Sequence, residues 1–129
     1  MNPRLLTDLQ LAILGVLWER GEATVADICE ALYEERGLAQ TTLATVLTRL
    51  ERRGVVSHYS RARQYVYRAL VTEVEAQQSM VRELTDRLFD GDVTALVSHL
   101  LSAQDVSAGD LARIREMLDS AGSPKEAAK

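Results

Sequence analysis

Thr41, Thr42, Thr45, Thr48, Arg49 and Arg52 recur at helical spacing along AQTTLATVLTRLERR, residues 39–53 of the 129-residue chain. On a helix they share one face, while Ala39, Leu43, Val46, Leu47 and Leu50 form an apolar stripe on the other. Glu51 is the only carboxylate in the stretch. A solvated helix face ordinarily interleaves Glu with Lys or Arg, because paired charges support the helix. Threonine is also a poor helix former, since β-branching restricts χ1. A face of four threonines and two arginines therefore suits a crowded contact. Short side chains let a helix lie close in a major groove, where hydroxyls and methyls meet base edges and arginine reaches guanine or phosphate.

The elements around this stretch have to hold it outward. A first helix is expected from Thr7, capped with Gln10, to Arg20 before Gly21. Leu9, Ala12, Ile13, Val16 and Leu17 make one apolar face of it, and Leu11, Leu14 and Trp18 a second, with Trp18 as a core anchor. Gly21-Glu22-Ala23 is a short link with room for a bridge of extended structure. A second helix starts at Thr24, capped with Asp27, and ends near Gly37. Val25, Ile28, Ala31 and Leu32 are expected inward, and Glu30, Glu34 and Glu35 outward. The turn Gly37-Leu38-Ala39 leads into the threonine helix, which makes the pair a helix-turn-helix.

After Gly54 the periodicity alternates. Val55–Ser60 and Gln64–Leu70 are β-prone runs, with Arg61-Ala62-Arg63 as the expected tip. A hairpin following such a helix is a wing, and Arg61 and Arg63 would reach phosphate or the adjacent minor groove. Arg52 and Arg53 would join them on the backbone. Tyr59, Tyr65 and Tyr67 are expected to pack the hairpin; base stacking would matter only for a single-stranded target.

From Thr72 the sequence is helical and acidic. Thr72 with Glu75 caps a helix to about Phe89, the Asp90-Gly91-Asp92 break follows, a second helix carries Val93 to Leu101, and Ser107 with Asp110 caps a third. About fifty residues are too few for a private core. Val81, Leu84, Leu88, Leu96, Val97, Leu100, Leu101, Leu111, Ile114 and Leu118 are therefore expected to close against a second copy in a C2 dimer. The organisation expected is a winged helix-turn-helix domain over 1–71, a three-helix dimerisation region over 72–122 and a disordered tail over 123–129. The fold class is mainly α with a small β-hairpin.

Charge is divided in the same way. Residues 1–35 hold two Arg against seven acidic residues, a balance of −5. Residues 36–68 hold seven Arg against Glu51 alone, +6, and residues 69–129 hold six basic against eleven acidic, −5. The middle block is the candidate footprint, and arginine is the cation suited to bidentate phosphate and guanine contacts. The net charge of −4 conceals it.

No feature supports catalysis or a cofactor. There is no glycine-rich phosphate loop, no H-E-x-x-H and no cysteine cluster. Cys29 alone cannot form an internal disulfide or a multi-thiolate metal site, and is expected as a small core residue. His58 is expected on the hairpin surface and His99 at a helix–helix interface, neither with a ligand-spaced partner. No apolar run approaches a membrane span. MNPRLLTDLQ meets an aspartate before any signal-like apolar region, so a cytoplasmic location is expected.

The segments TDLQLAILGVLWERGEATVADI, TTLATVLTRLERRGVV and YVYRAL, with a weaker echo in FDGDVTALVSHL, resemble the penicillinase-repressor family of winged-helix regulators. That family includes methicillin-resistance and copper-responsive repressors. The resemblance implies a homodimeric transcriptional repressor on a palindromic, double-stranded DNA operator, released when a membrane sensor protease triggers cleavage in the dimerisation region. Three departures stand out. Staphylococcal members have Lys and Arg where this chain has Thr41 and Ala44, which leaves the operator sequence open. Their cleaved Asn-Phe bond falls at His99-Leu100, which speaks against induction by that cut. The copper-responsive branch carries a C-terminal cysteine motif, absent here, which speaks against copper sensing. Two other functions fit the residues: a winged helix released by a small ligand in a pocket lined by Trp18 or the tyrosines, and a winged helix that binds protein.

Overall fold

Three threonines fix where helices begin. Thr7, Thr24 and Thr72 each accept the backbone N–H three residues on, and Gln10, Asp27 and Glu75 accept the threonines' own N–H groups in return. Each capping box satisfies two donors that a helix end leaves orphaned. In the computed structural model, which describes residues 5–102 and 106–121, these boxes open α1 (Asp8–Arg20), α2 (Val25–Arg36) and α4 (Glu73–Phe89). The strand β1 (Ala23–Thr24) lies between α1 and α2, and α3 (Gln40–Arg52), β2 (Val56–Arg61) and β3 (Gln64–Ala69) lie between α2 and α4. The chain continues through α5 (Val93–Ser102) and α6 (Ala108–Ala121), where Ser107 and Asp110 exchange the same reciprocal bonds. The expected tail over 123–129 lies outside the described residues.

The expected bridge in the α1–α2 link is present and makes the hairpin a three-stranded antiparallel sheet, ordered β1-β3-β2. Val56 pairs with Ala69 and the register runs without a break to Arg61 opposite Gln64. Arg61 is therefore the last residue of β2 rather than part of the tip, which is Ala62-Arg63 alone. The cross-strand pair needs Arg61 to close the ladder.

The core sits under α3. Ile13, Leu14 and Leu17 from α1, Ile28 from α2, Leu43, Leu47 and Leu50 from α3, and Val55, Val56 and Val66 from the hairpin are all fully buried. Gly54 turns the chain from α3 into β2. Val55 N–H reaches back to the Leu50 carbonyl and Gly54 N–H to that of Glu51, a Schellman closure that places Gly54 at φ 77°. Two residues expected inward are exposed, Ala31 and Ala39. Neighbours cover α2 along Val25, Ile28, Cys29 and Leu32, leaving Ala31 outside, and Ala39 precedes α3 as its N-cap.

The start of α4 belongs to this core. Trp18 Nε1 donates to the Val71 carbonyl at 2.8 Å, Val71 and Ala76 are buried, and Met80 packs against the cluster. Beyond Met80 the apolar stripe emerges into solvent. No residue of α5 or α6 is buried in the single chain.

Candidate nucleic-acid interface

α3 presents its polar face as the sequence spacing requires. Leu43, Leu47 and Leu50 anchor it, and Thr41, Thr42, Thr45, Thr48, Arg49 and Arg52 are all exposed. Two hydroxyls are turned to the helix itself: Thr45 Oγ1 donates to the Thr41 carbonyl at 3.1 Å, and Thr48 Oγ1 to the Ala44 carbonyl at 2.9 Å. Such back-bonds occupy the hydroxyl proton and leave an oxygen acceptor and a methyl group on the surface. Thr45 and Thr48 therefore offer a base edge a site for an amino donor, or a methyl contact. Unlike its neighbours, α3 has no side-chain cap and no acidic residue in its first turn.

The cations of the +6 block fall into two groups. Arg36 pairs with Asp8 at 2.8 Å. Arg53 is half-buried and donates to Gln10 Oε1 at 3.3 Å, tying the end of α3 to the capping box of α1. Arg61 pairs with Glu22 at 3.0 Å, and Arg68 approaches the same carboxylate at 3.9 Å. Arg49, Arg52 and Arg63 have no hydrogen-bond or ion-pair partner among the described residues. Two of these project from the last turns of α3, and the third is exposed at the tip of the wing.

Each face of the wing is braced by a carboxylate. Glu51, the one acid of α3, lies 2.7 Å from His58 Nδ1, and His58 stacks on Tyr65 at a centroid distance of 4.2 Å and meets the Tyr67 ring tilted at 5.3 Å. His58 is thus a half-buried strut between α3 and the hairpin rather than a surface residue. The tyrosines pack the hairpin as expected, Tyr67 buried and Tyr59 bonded through its hydroxyl to Glu22 at 2.9 Å. The Glu22 carboxyl is held below the usual range, chiefly by the Tyr59 hydroxyl and further by Arg61 and Arg68, against the opposing effect of burial. Glu22 and Glu51 were not legible as site residues, because each stands alone in sequence and finds its partners across the sheet. The odd position of Glu51 in an otherwise acid-free helix was the one available signal.

Cys29 is half-buried with its Sγ 3.2 Å from the Leu38 carbonyl. Among the described residues no His, Cys, Asp and Glu side chains gather in a group able to hold a metal ion. His99 lies 5.8 Å from Phe89, ring to ring, where α5 folds back on α4. No helix among the described residues is long and apolar enough to cross a membrane.

A helix-turn-helix followed by a hairpin braced against its second helix defines a winged-helix domain. The chain belongs to the penicillinase repressor family, whose model matches residues 6–120; this places it among DNA-binding transcriptional repressors. It is 21% identical over 107 residues to the methicillin resistance regulatory protein MecI of Mammaliicoccus sciuri, covering 83% of this chain and 87% of that one. The penicillinase repressor of Bacillus licheniformis is 19% identical over 114 residues, 88% and 89% of the two chains. The solved DNA-binding domain of the repressor BlaI superposes with a TM-score of 0.51 at 22% identity, covering 58% of this chain and 93% of that domain. YusO of Bacillus subtilis superposes with a TM-score of 0.54 at 16% identity over 91% and 77% of the chains. Both structures support the fold.

Proposed function

We propose that the protein is a cytoplasmic, homodimeric repressor that reads a palindromic operator through α3, without enzymatic activity. The observation that carries this reading is the exposed face of α3. It rests on three fully buried leucines and sets Thr41, Thr42, Thr45, Thr48, Arg49 and Arg52 outward, with its single acid turned to His58. The threonines and Arg49 read the groove, and Arg52 and Arg63 hold the backbone. Arg53 and Arg61, already paired with protein, keep α3 and the wing in place.

Dimerisation is supported by the uncovered stripes. Val81, Leu84, Leu88, Val97, Leu100, Leu101, Leu111 and Leu118 are exposed in the single chain, and only Leu96 and Ile114 are half-buried. Exposed apolar stripes of this kind mark an interaction site. Its sequence pattern supplies no basic stripe of its own, so its contribution to DNA binding is to join two reading heads. We assign residues 1–71 with the first turns of α4 to the head and the remaining helices to the dimer. Release follows a sensor-triggered signal, with His99-Leu100 in place of the scissile Asn-Phe pair arguing against a cut at that bond.

An open apolar groove of about 340 Å³ lies between α1 and α4, lined by Leu11, Trp18, Ala76, Met80, Val81 and Leu84. Its lining by Trp18 favours a small-ligand regulator. Val81 and Leu84 also belong to the exposed stripe, so the groove continues the proposed dimer face, which is the reading adopted. Footprinting the purified protein on DNA around its own gene tests the proposal. Protection of two half-sites related by a two-fold axis is expected; no protection of any duplex would overturn it.

A further inference from the structure

Tyr59, Arg61 and Arg68 come together on one face of the wing because Ser57 pairs with Arg68, and Tyr59 and Arg61 follow at two-residue steps along β2. Glu22, from the link between α1 and β1, meets all three. Its Oε2 accepts the Tyr59 hydroxyl at 2.9 Å and Arg61 Nη1 at 3.0 Å, and its Oε1 lies 3.9 Å from Arg68 Nη2. Arg61 also donates to the Tyr59 oxygen at 3.2 Å, and both guanidinium groups lie over the Tyr59 ring, at 5.9 and 5.4 Å. The cluster is half open to water, with Arg61 61% exposed and the Glu22 side chain 35% exposed.

We infer that Glu22 is a positioning residue that sets affinity for DNA: its carboxylate hydrogen-bonds Arg61 and holds Arg68 in a longer ion pair, competing with phosphate for both, so the wing offers the duplex Arg63 alone. This rests on the DNA-binding reading above. Guanidinium forks bond carboxylate and phosphate oxygens with the same geometry. A cation already held by an internal anion releases no DNA counterion unless that pair breaks. Contacts of this class add to binding on every sequence alike, and a genome offers an excess of competing sites. Withholding two of the wing's three arginines therefore lowers affinity for every duplex alike.

The test uses the full chain and a duplex of unrelated sequence, with Kd measured over a series of salt concentrations. Glu22→Gln keeps an oxygen for the Tyr59 hydroxyl and removes the charge. It should bind more tightly, and its log–log salt slope should steepen by up to about 2 per reading head. Arg61→Ala with Arg68→Ala in the native background should leave the slope unchanged, and adding both to Glu22→Gln should restore the native slope. A shallower slope in the native-background double variant would overturn the proposal, since those arginines would then already touch phosphate. So would an unchanged slope, or weaker binding, in a Glu22→Gln protein of native thermal stability. Should Glu22→Gln not fold, the native-background double variant decides alone by the same criterion. A native chain whose binding to any duplex is insensitive to salt would instead refute the DNA-binding reading itself.

Discussion

Arg63 and Ala62 turn the wing with both residues in the left-handed region, at φ 66° and 51°. Two-residue hairpin turns of this kind favour Asn and Gly, because a Cβ is strained there. An arginine retained at such a position is consistent with a job for its side chain. Arg63→Gly should raise stability in thermal unfolding by about 1 kcal/mol, while making the salt slope of a dimer on its operator shallower by roughly 2. A variant that gains stability with its slope intact would take Arg63 out of the interface. At Thr45 the hydroxyl proton is already spent on the Thr41 carbonyl, so Thr45→Val keeps the shape and removes only an acceptor. It should shift preference at one base position by about 1 kcal/mol across an operator-variant series, with the salt slope unchanged. Equal loss on every sequence would make Thr45 a backbone contact.

The elements were largely legible in the sequence because their signals are local. Thr7, Thr24 and Thr72 each stand three residues before a side chain able to return the bond, and the change of period at Gly54 marks the end of α3. What the sequence concealed is non-local. Arg61 read as a tip residue until the unbroken ladder set it opposite Gln64, and the reach of Arg53 to Gln10 across the domain has no signal in the sequence. The acids were equally hidden, since Glu22 and Glu51 find partners only once the sheet has formed. The caps carry a pH dependence. Thr24's N–H and hydroxyl hold the Asp27 carboxyl below its usual value, and Ser107 with Arg113 does the same for Asp110. A depressed carboxyl stabilises the native state above the ordinary aspartate range, and that contribution is lost as pH falls through the lowered value. Asp27→Asn should therefore lower stability near neutral pH and flatten its decline in acid. Denaturant melts between neutral pH and the acid limb check this, and a variant with the native acid profile would remove Asp27 from the account.

At the scale of the molecule, a core confined to α1–α3, the sheet and the first turns of α4 is followed by helices that bury nothing on their own. Burial of Ala76 and the Trp18–Val71 bond tie the first turns of α4 to the winged-helix core, so the joint proposed between reading head and dimer arm falls within α4. In the proposed dimer that joint would fix how an arm leaves each reading head. Joining two heads makes the second contact intramolecular, worth about 10²–10⁴ in affinity. Leu100, 53% exposed on α5, should lie in the dimer face, where a buried carboxylate would be strongly unfavourable. The most direct test is the ratio of affinities for the full operator and for one isolated half-site, measured for the native chain and for Leu100→Asp. The native chain should favour the full operator by about 10²–10⁴, and the variant should bind both alike at the half-site level. A native chain that binds operator and half-site equally would contradict the account.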